Sequence, residues 1–137
     1  MVKMYVHAVL FVADGRRPFD ESITEDVAVF IRAVAAYKGL CCVHVCVLAD
    51  HVHLALEVPH RADVFSFLET IRYWLQDYVE RQTSQPPFAW QDRLWMVSKS
   101  PGDLQALEKY FRKQRDYHVL HGIEREWEDM MDLEEIG

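Results

Sequence analysis

His51-Val52-His53 sets two imidazoles one residue apart, and Tyr110 and Gln114 stand four apart further along the chain. If the histidines lie in a strand, side chains alternate between faces. His51 and His53 then share one face with Ala55 and Glu57, while Val52, Leu54, Leu56 and Val58 take the other. Two neutral imidazoles on one face can share a divalent ion. Manganese, zinc, copper and nickel suit imidazole, and magnesium fits when phosphate oxygens complete its shell. On a helix, Tyr110 and Gln114 stack on one side, next to an apolar stripe of Leu104, Leu107 and Phe111. A phenol is a weak nucleophile at neutral pH because its ordinary pKa is about 10, so Tyr110 would need polarisation of its target or a nearby base. A third set, Cys42, His44 and Cys46, falls on one face of a regular strand close to the histidine pair. Thiolates with imidazole would select zinc, which makes a structural zinc site an alternative reading. Buried strand cysteines acting as small hydrophobes is the plainer account of the same residues.

The elements that must position these groups follow from periodicity. Met4 to Val12 is an almost unbroken apolar run rich in β-branched and aromatic residues, closed by Ala13-Asp14-Gly15-Arg16-Arg17-Pro18, which reads as a strand and its exit loop. Ser22 with Glu25 three residues on forms a capping box. Val27, Phe30, Ile31, Val34, Ala35 and Tyr37 then recur at helical spacing until Gly39 stops the helix. Leu40 to Leu48 and His51 to Val58 are two strands joined through Ala49-Asp50 as a hairpin. Asp63 caps a second helix with Val64, Phe67, Leu68, Ile71, Leu75 and Tyr78 on one stripe. Gln85-Pro86-Pro87 interrupts the chain, and Arg93 to Ser98 supplies a short last strand. Strand, helix, strand, strand, helix, strand is the α+β, ferredoxin-like split β-α-β order: an antiparallel sheet with both helices on one face and the other face open. Ser100-Pro101-Gly102-Asp103 then opens a third helix through about Tyr117, carrying Tyr110. A last amphipathic turn or two holds Ile123, Trp127, Met130 and Leu133.

Composition bounds what such a sheet could serve. The chain has 137 residues, half of them hydrophobic, which suits one domain over 1–137. With 22 Asp and Glu against 15 Lys and Arg the net charge is −7, which excludes a broadly basic, non-specific nucleic-acid binder. The excess is a property of the tail: residues 124–137 hold seven acids and one cation, whereas Arg93 to Arg115 hold six cations and two acids. The segment around Tyr110 therefore carries the local positive sign that a phosphate needs. No apolar run approaches the ~20 residues that span a bilayer. Three cysteines in one apolar segment form no disulfide framework, so a reducing, cytoplasmic setting is expected, without membrane attachment.

Taken in order, these pieces resemble the single-tyrosine HUH transposases, the insertion-sequence-200-like enzymes and the related REP-associated tyrosine transposases. The resemblance rests on the first strand running into Gly15-Arg16-Arg17-Pro18, on Ala49-Asp50-His51-Val52-His53-Leu54, on Phe88-Ala89-Trp90-Gln91 before the last strand, and on Tyr110-x-x-x-Gln114 followed by Tyr117-His118. It implies that His51, His53 and Gln114 hold a divalent metal ion, magnesium or manganese, and that Tyr110 is the nucleophile of a single-strand DNA endonuclease and strand transferase. It further implies a single-stranded DNA substrate with hairpin ends, and a homodimer in which the tyrosine helix of one subunit completes the site of the other in trans. For DNA contacts, Arg16 and Arg17 in the first loop and Lys99, Lys109, Arg112, Lys113 and Arg115 around the tyrosine helix are the candidate cations. A domesticated or inactive relative that only binds nucleic acid is the alternative within the same resemblance.

Overall fold

The first apolar run forms β1, Met4–Val12, and the computed structural model buries every residue of it after Met4. The described residues are 4–59, 63–83, 86–99, 105, 106 and 108–111, with the side chains of 93 and 94 left aside. The other strands are β2, Cys41–Leu48, β3, His51–Val58, and β4, Trp90–Lys99. They make one antiparallel sheet in the order β2-β3-β1-β4. Two helices, α1 (Thr24–Tyr37) and α2 (Val64–Gln82), complete the expected ferredoxin-like order.

The central position of β1 and β3 explains their nearly continuous hydrophobicity, since both faces of each are covered. Alternation sorts the side chains: Val6, Ala8, Leu10 and Val12 of β1 and Val52, Leu54 and Leu56 of β3 join the helices in the main core. The helices present matching stripes. Val27, Ile31, Val34 and Ala35 are buried from α1, and Phe67, Leu68, Ile71, Leu75 and Val79 from α2, spaced about one turn apart. Phe30 stacks on Tyr78 with ring centroids 4.5 Å apart, joining the helices to each other. Full burial of one such aliphatic or aromatic side chain stabilises the fold by about 1.5–3 kcal/mol. Ile71 is fully buried, and Ile71→Ala is expected to lower the unfolding free energy by ~2–5 kcal/mol, transfer and cavity terms together. Urea denaturation measures this directly, and a change within error of zero would contradict the packing of α2.

Local signals held with small shifts. Asp63 caps α2 by accepting from the Ser66 amide at 3.0 Å. Gly39, at φ +80°, ends α1 in the left-handed conformation that a residue without Cβ adopts freely. The start of α1 differs from the expected Ser22 cap. Asp20 caps a 3-10 turn over Glu21–Ile23, Ser22 donates to its carboxylate, and α1 continues from Thr24. The last strand begins at Trp90 rather than Arg93, because the chain after the prolines is already tied down. Gln76 donates to the Phe88 carbonyl at 2.5 Å, the Trp90 indole donates to the Arg72 carbonyl at 2.6 Å, and Arg72 donates to the Gln91 carbonyl. Trp90 thus packs on the helix side with Phe19 and Phe88, against the main core.

A larger difference lies in β2. The pairing with β3 shifts between Cys42 and His44, so that Val43 is an extra residue: Cys42 opposes Leu56, while His44 opposes Ala55 and Cys46 opposes His53. Cys42 therefore enters the helix-side core while Cys46 joins the opposite face, and the expected shared face of Cys42, His44 and Cys46 does not exist. This removes the geometric basis of the zinc alternative. Burial pushes the Cys42 thiol up to about 12, as fits a small hydrophobe, and its Sγ donates to the His44 carbonyl.

Candidate functional site

β3 turns His51, His53 and Ala55 away from the helices, as alternation requires, because Val52, Leu54 and Leu56 are claimed by the core. Directly across on β1, Phe11 opposes His51, Val9 opposes His53 and His7 opposes Ala55. The open face thus carries His44 on the edge strand β2, opposite Ala55, and three histidines on the two central strands. All three are fully buried, where a bare sheet face would leave them wet. The cover comes from the helical residues 108–111 and from β4. Phe111 packs with Cys46, Leu48 and Ala55, while Tyr110 and Trp95 pack against Val9 and Phe11. His44 Nε2 lies 4.0 Å from the Glu108 carboxylate, a contact from β2 to the same short helical segment.

Each metal-candidate ring has a partner on Nδ1. His51 Nδ1 lies 2.7 Å from Asp50 Oδ1, and because an ionised carboxylate only accepts, this ring carries its proton on Nδ1 and directs its lone pair through Nε2. The ring also stacks on Phe11, with centroids 5.5 Å apart and planes 16° apart. His53 Nδ1 lies 3.2 Å from His7 Nε2. The His51 and His53 centroids are 5.1 Å apart with planes inclined by 67°, so the rings neither stack nor diverge to opposite faces. Two neutral nitrogen donors, each with its other nitrogen hydrogen-bonded, are a donor set that fits a divalent metal. Among the described residues no group of three or more His, Cys, Asp or Glu side chains is arranged for a metal ion. The expected third ligand, Gln114, lies outside the described residues.

Tyr110 is brought to this pair. Its ring centroid is 5.5 Å from that of His53 and 6.1 Å from that of His7, edge to face with each. The sequence places these groups 57 positions apart, from His53 to Tyr110; the return of the chain over the open face is what joins them. His7 was not singled out for this site by any motif. Its only sequence signal is alternation with Val9 and Phe11 on the open face of β1, and burial, then the neighbouring His53 and Lys99, hold its pKa well below the ordinary value. His7 is therefore a neutral imidazole at physiological pH.

The candidate DNA cations divide. Arg17 and Lys109 are exposed, and Arg16 is half-buried with its guanidinium donating to the Pro86 carbonyl at 3.1 Å. Lys99, expected as a surface contact, is instead 6% exposed at the end of β4, opposite Tyr5, where its charge acts on His7. Arg112, Lys113 and Arg115 lie outside the described residues, as do the expected 100–103 capping box, the turns at 123–133 and the acidic tail at 124–137.

The cysteines report on the cover. Cys41 is exposed whereas Cys42 and Cys46 are buried on opposite faces. In the folded protein only Cys41 should react quickly with a thiol reagent, and all three after denaturation, as counted by mass spectrometry. Rapid labelling of Cys46 would show that Phe111 does not keep the open face closed.

An antiparallel ferredoxin-like sheet that presents a buried histidine pair to a tyrosine on a following helix defines the class of protein. A family model described as "Transposase IS200 like" matches residues 1–114, and the chain belongs to that family. No curated protein matches the chain. Among solved structures, it is similar to a protein of Deinococcus radiodurans assigned as a transposase, with TM-score 0.66 and 16% identity over 84% of this chain and 93% of the other. It is also similar to a REP-associated tyrosine transposase bound to a REP hairpin, with TM-score 0.65 and 14% identity over 90% of this chain and 72% of the other. At these identities the two structures speak for the fold. Among the described residues no helix is long and apolar enough to cross a membrane.

Proposed function

We propose that the protein is a metal-dependent single-strand DNA endonuclease and strand transferase, with Tyr110 as nucleophile and His51, His53 and Gln114 as metal ligands. The observation that carries this reading is the convergence of Tyr110 with His51 and His53 on one sheet face, within a chain of the IS200-like transposase family. A divalent ion bound by the two imidazoles would draw charge from the scissile phosphate and orient it, undiminished by any anionic protein ligand. Tyr110 supplies the bond-making oxygen. Its Oη attacks phosphorus, the Oη–P bond forms, the P–O3′ bond breaks, the phenolic proton passes to solvent or a base, and the departing 3′ oxygen gains a proton. The product is a 5′-phosphotyrosine and a free 3′-hydroxyl. The phosphodiester bond energy is retained in the adduct, so attack by a 3′-hydroxyl rejoins DNA by the reverse step without a nucleotide cofactor. The close packing of Phe111, Trp95 and Tyr110 over the histidines excludes water around them, which favours return of the DNA end over hydrolysis.

Single-stranded DNA with hairpin ends is the proposed substrate, a reading supported by the hairpin bound to the REP-associated neighbour. Arg16, Arg17 and Lys109, with Arg112, Lys113 and Arg115 beyond the described residues, are its proposed phosphate contacts. A homodimer with the tyrosine helix exchanged in trans, acting in the cytoplasm, completes the proposal; in the single chain Tyr110 faces its own His53. The test is incubation of the protein with manganese or magnesium and labelled hairpin-bearing single strands, followed by denaturing electrophoresis. A DNA-linked protein band is expected. Its absence across a panel of hairpins, with binding retained, would support a binding-only relative. Mixing Tyr110→Phe protein with protein lacking His51 and His53 restores adduct formation only if the helix acts in trans.

A further inference from the structure

The third buried histidine, His7, has no part in the mechanism above, yet its Nε2 lies 3.2 Å from Nδ1 of His53. Two proton arrangements satisfy that contact. In one, His7 Nε2–H donates to His53 Nδ1, which leaves the His53 proton on Nε2 and closes that atom to a metal. In the other, His53 Nδ1–H donates to His7 Nε2, and His53 Nε2 carries a lone pair. The neighbouring ring shows the second arrangement without ambiguity, since Asp50 can only accept from His51 Nδ1. We propose that His7 is a positioning residue that does for His53 what Asp50 does for His51: it accepts from Nδ1–H, fixes the Nδ1–H tautomer and aims Nε2 at the metal site.

Two further observations support this. His7 is held rigidly: Trp95 meets its ring edge-on at 4.7 Å, Phe111 packs at 5.2 Å, and the ring is stacked on His53 with planes 27° apart. Its Nδ1 is buried with no hydrogen-bond partner in the structure. A buried imidazole nitrogen left unsatisfied destabilises the fold, and an apolar ring would fill the same space without that penalty. Packing alone therefore gives no reason for histidine here, whereas the Nε2 contact to His53 does. Partners of this kind on metal-binding histidines typically change metal affinity by about 10–100-fold when removed.

The inference rests on the metal reading of His51 and His53, and its test separates the two. Long-range 15N NMR of the metal-free full chain should show His53 as the Nδ1–H tautomer, changing toward Nε2–H in His7→Phe. Manganese titration should show affinity lowered by ~10–100-fold in His7→Phe and largely restored in His7→Gln, whose side-chain amide oxygen can accept from Nδ1–H near the former Nε2. An Nε2–H tautomer at His53 in the wild-type protein overturns the proposal, as does equal manganese affinity in wild type and His7→Phe. The expected tautomer change with no manganese binding by wild type would leave His7's positioning role standing and overturn the metal reading instead. If His7→Phe fails to fold, the wild-type tautomer and the His7→Gln titration still decide the matter.

Discussion

Tyr110→Phe is expected to abolish the covalent DNA adduct and to lower strand cleavage by at least ~1,000-fold, about 4 kcal/mol of barrier. The substitution removes the only protein atom that forms a bond to phosphorus in the proposed mechanism. It keeps the ring that packs on Val9, Phe11 and His53, so the variant should fold normally and still bind hairpin DNA. An undiminished adduct in Tyr110→Phe would move the nucleophile to another hydroxyl. Tyr117 would then be the next candidate to test. Loss of binding together with loss of cleavage would point instead to a structural role for the hydroxyl. Both outcomes can be read from the same pair of gels, native and denaturing.

The second large effect is expected from His51→Ala combined with His53→Ala. Removing both imidazoles takes away two of the three proposed ligands, so manganese binding should fall by more than the ~100-fold at the top of the range for losing a supporting partner. Cleavage should become undetectable. Chelator treatment of the wild-type protein should reproduce that loss, and added manganese or magnesium should reverse it only where the histidines are present. The double variant also leaves a cavity beneath Tyr110 and Phe111 and removes the His51 donor to Asp50. A stability loss of about 1–3 kcal/mol is therefore expected alongside the functional one. Circular dichroism and thermal unfolding separate the two effects. Cleavage at wild-type rates by a folded double variant would remove the metal from the mechanism.

Much of the fold could be read from hydrophobic periodicity, because β1, β3, α1 and α2 each have one set of positions that only the core can take. Asp63 and Gly39 marked helix ends for reasons local to those residues, and both stand where expected. Ser22 misled because Asp20, two residues earlier, starts the turn: its carboxylate accepts from both the Ser22 amide and the Ser22 hydroxyl, so that hydroxyl is engaged before it could cap α1. The bulge at Val43 left no mark either. Alternation in β2 looked regular, and only the register against β3 reveals that Cys42 and Cys46 part company. Lys99 read as one more surface cation, since burial of a strand end depends on what the rest of the chain lays over it.

The sequence by itself determined that His51 and His53 share a face. It also determined that this face is not the helix-covered one, because a two-residue side-chain period and the apolar demand of Val52, Leu54 and Leu56 leave no other choice. Tertiary structure decided which groups meet on that face. Antiparallel pairing of β1 with β3 set His7 diagonally beside His53, the hairpin turn delivered Asp50 to His51, and the return of residues 108–111 brought Tyr110 and Phe111 over His7 and His53. These contacts join positions from one to more than a hundred residues apart. Periodicity is a property of neighbours along a chain, so it assigns a residue to a face; which residues meet there is set by strand order, register and the path of the chain.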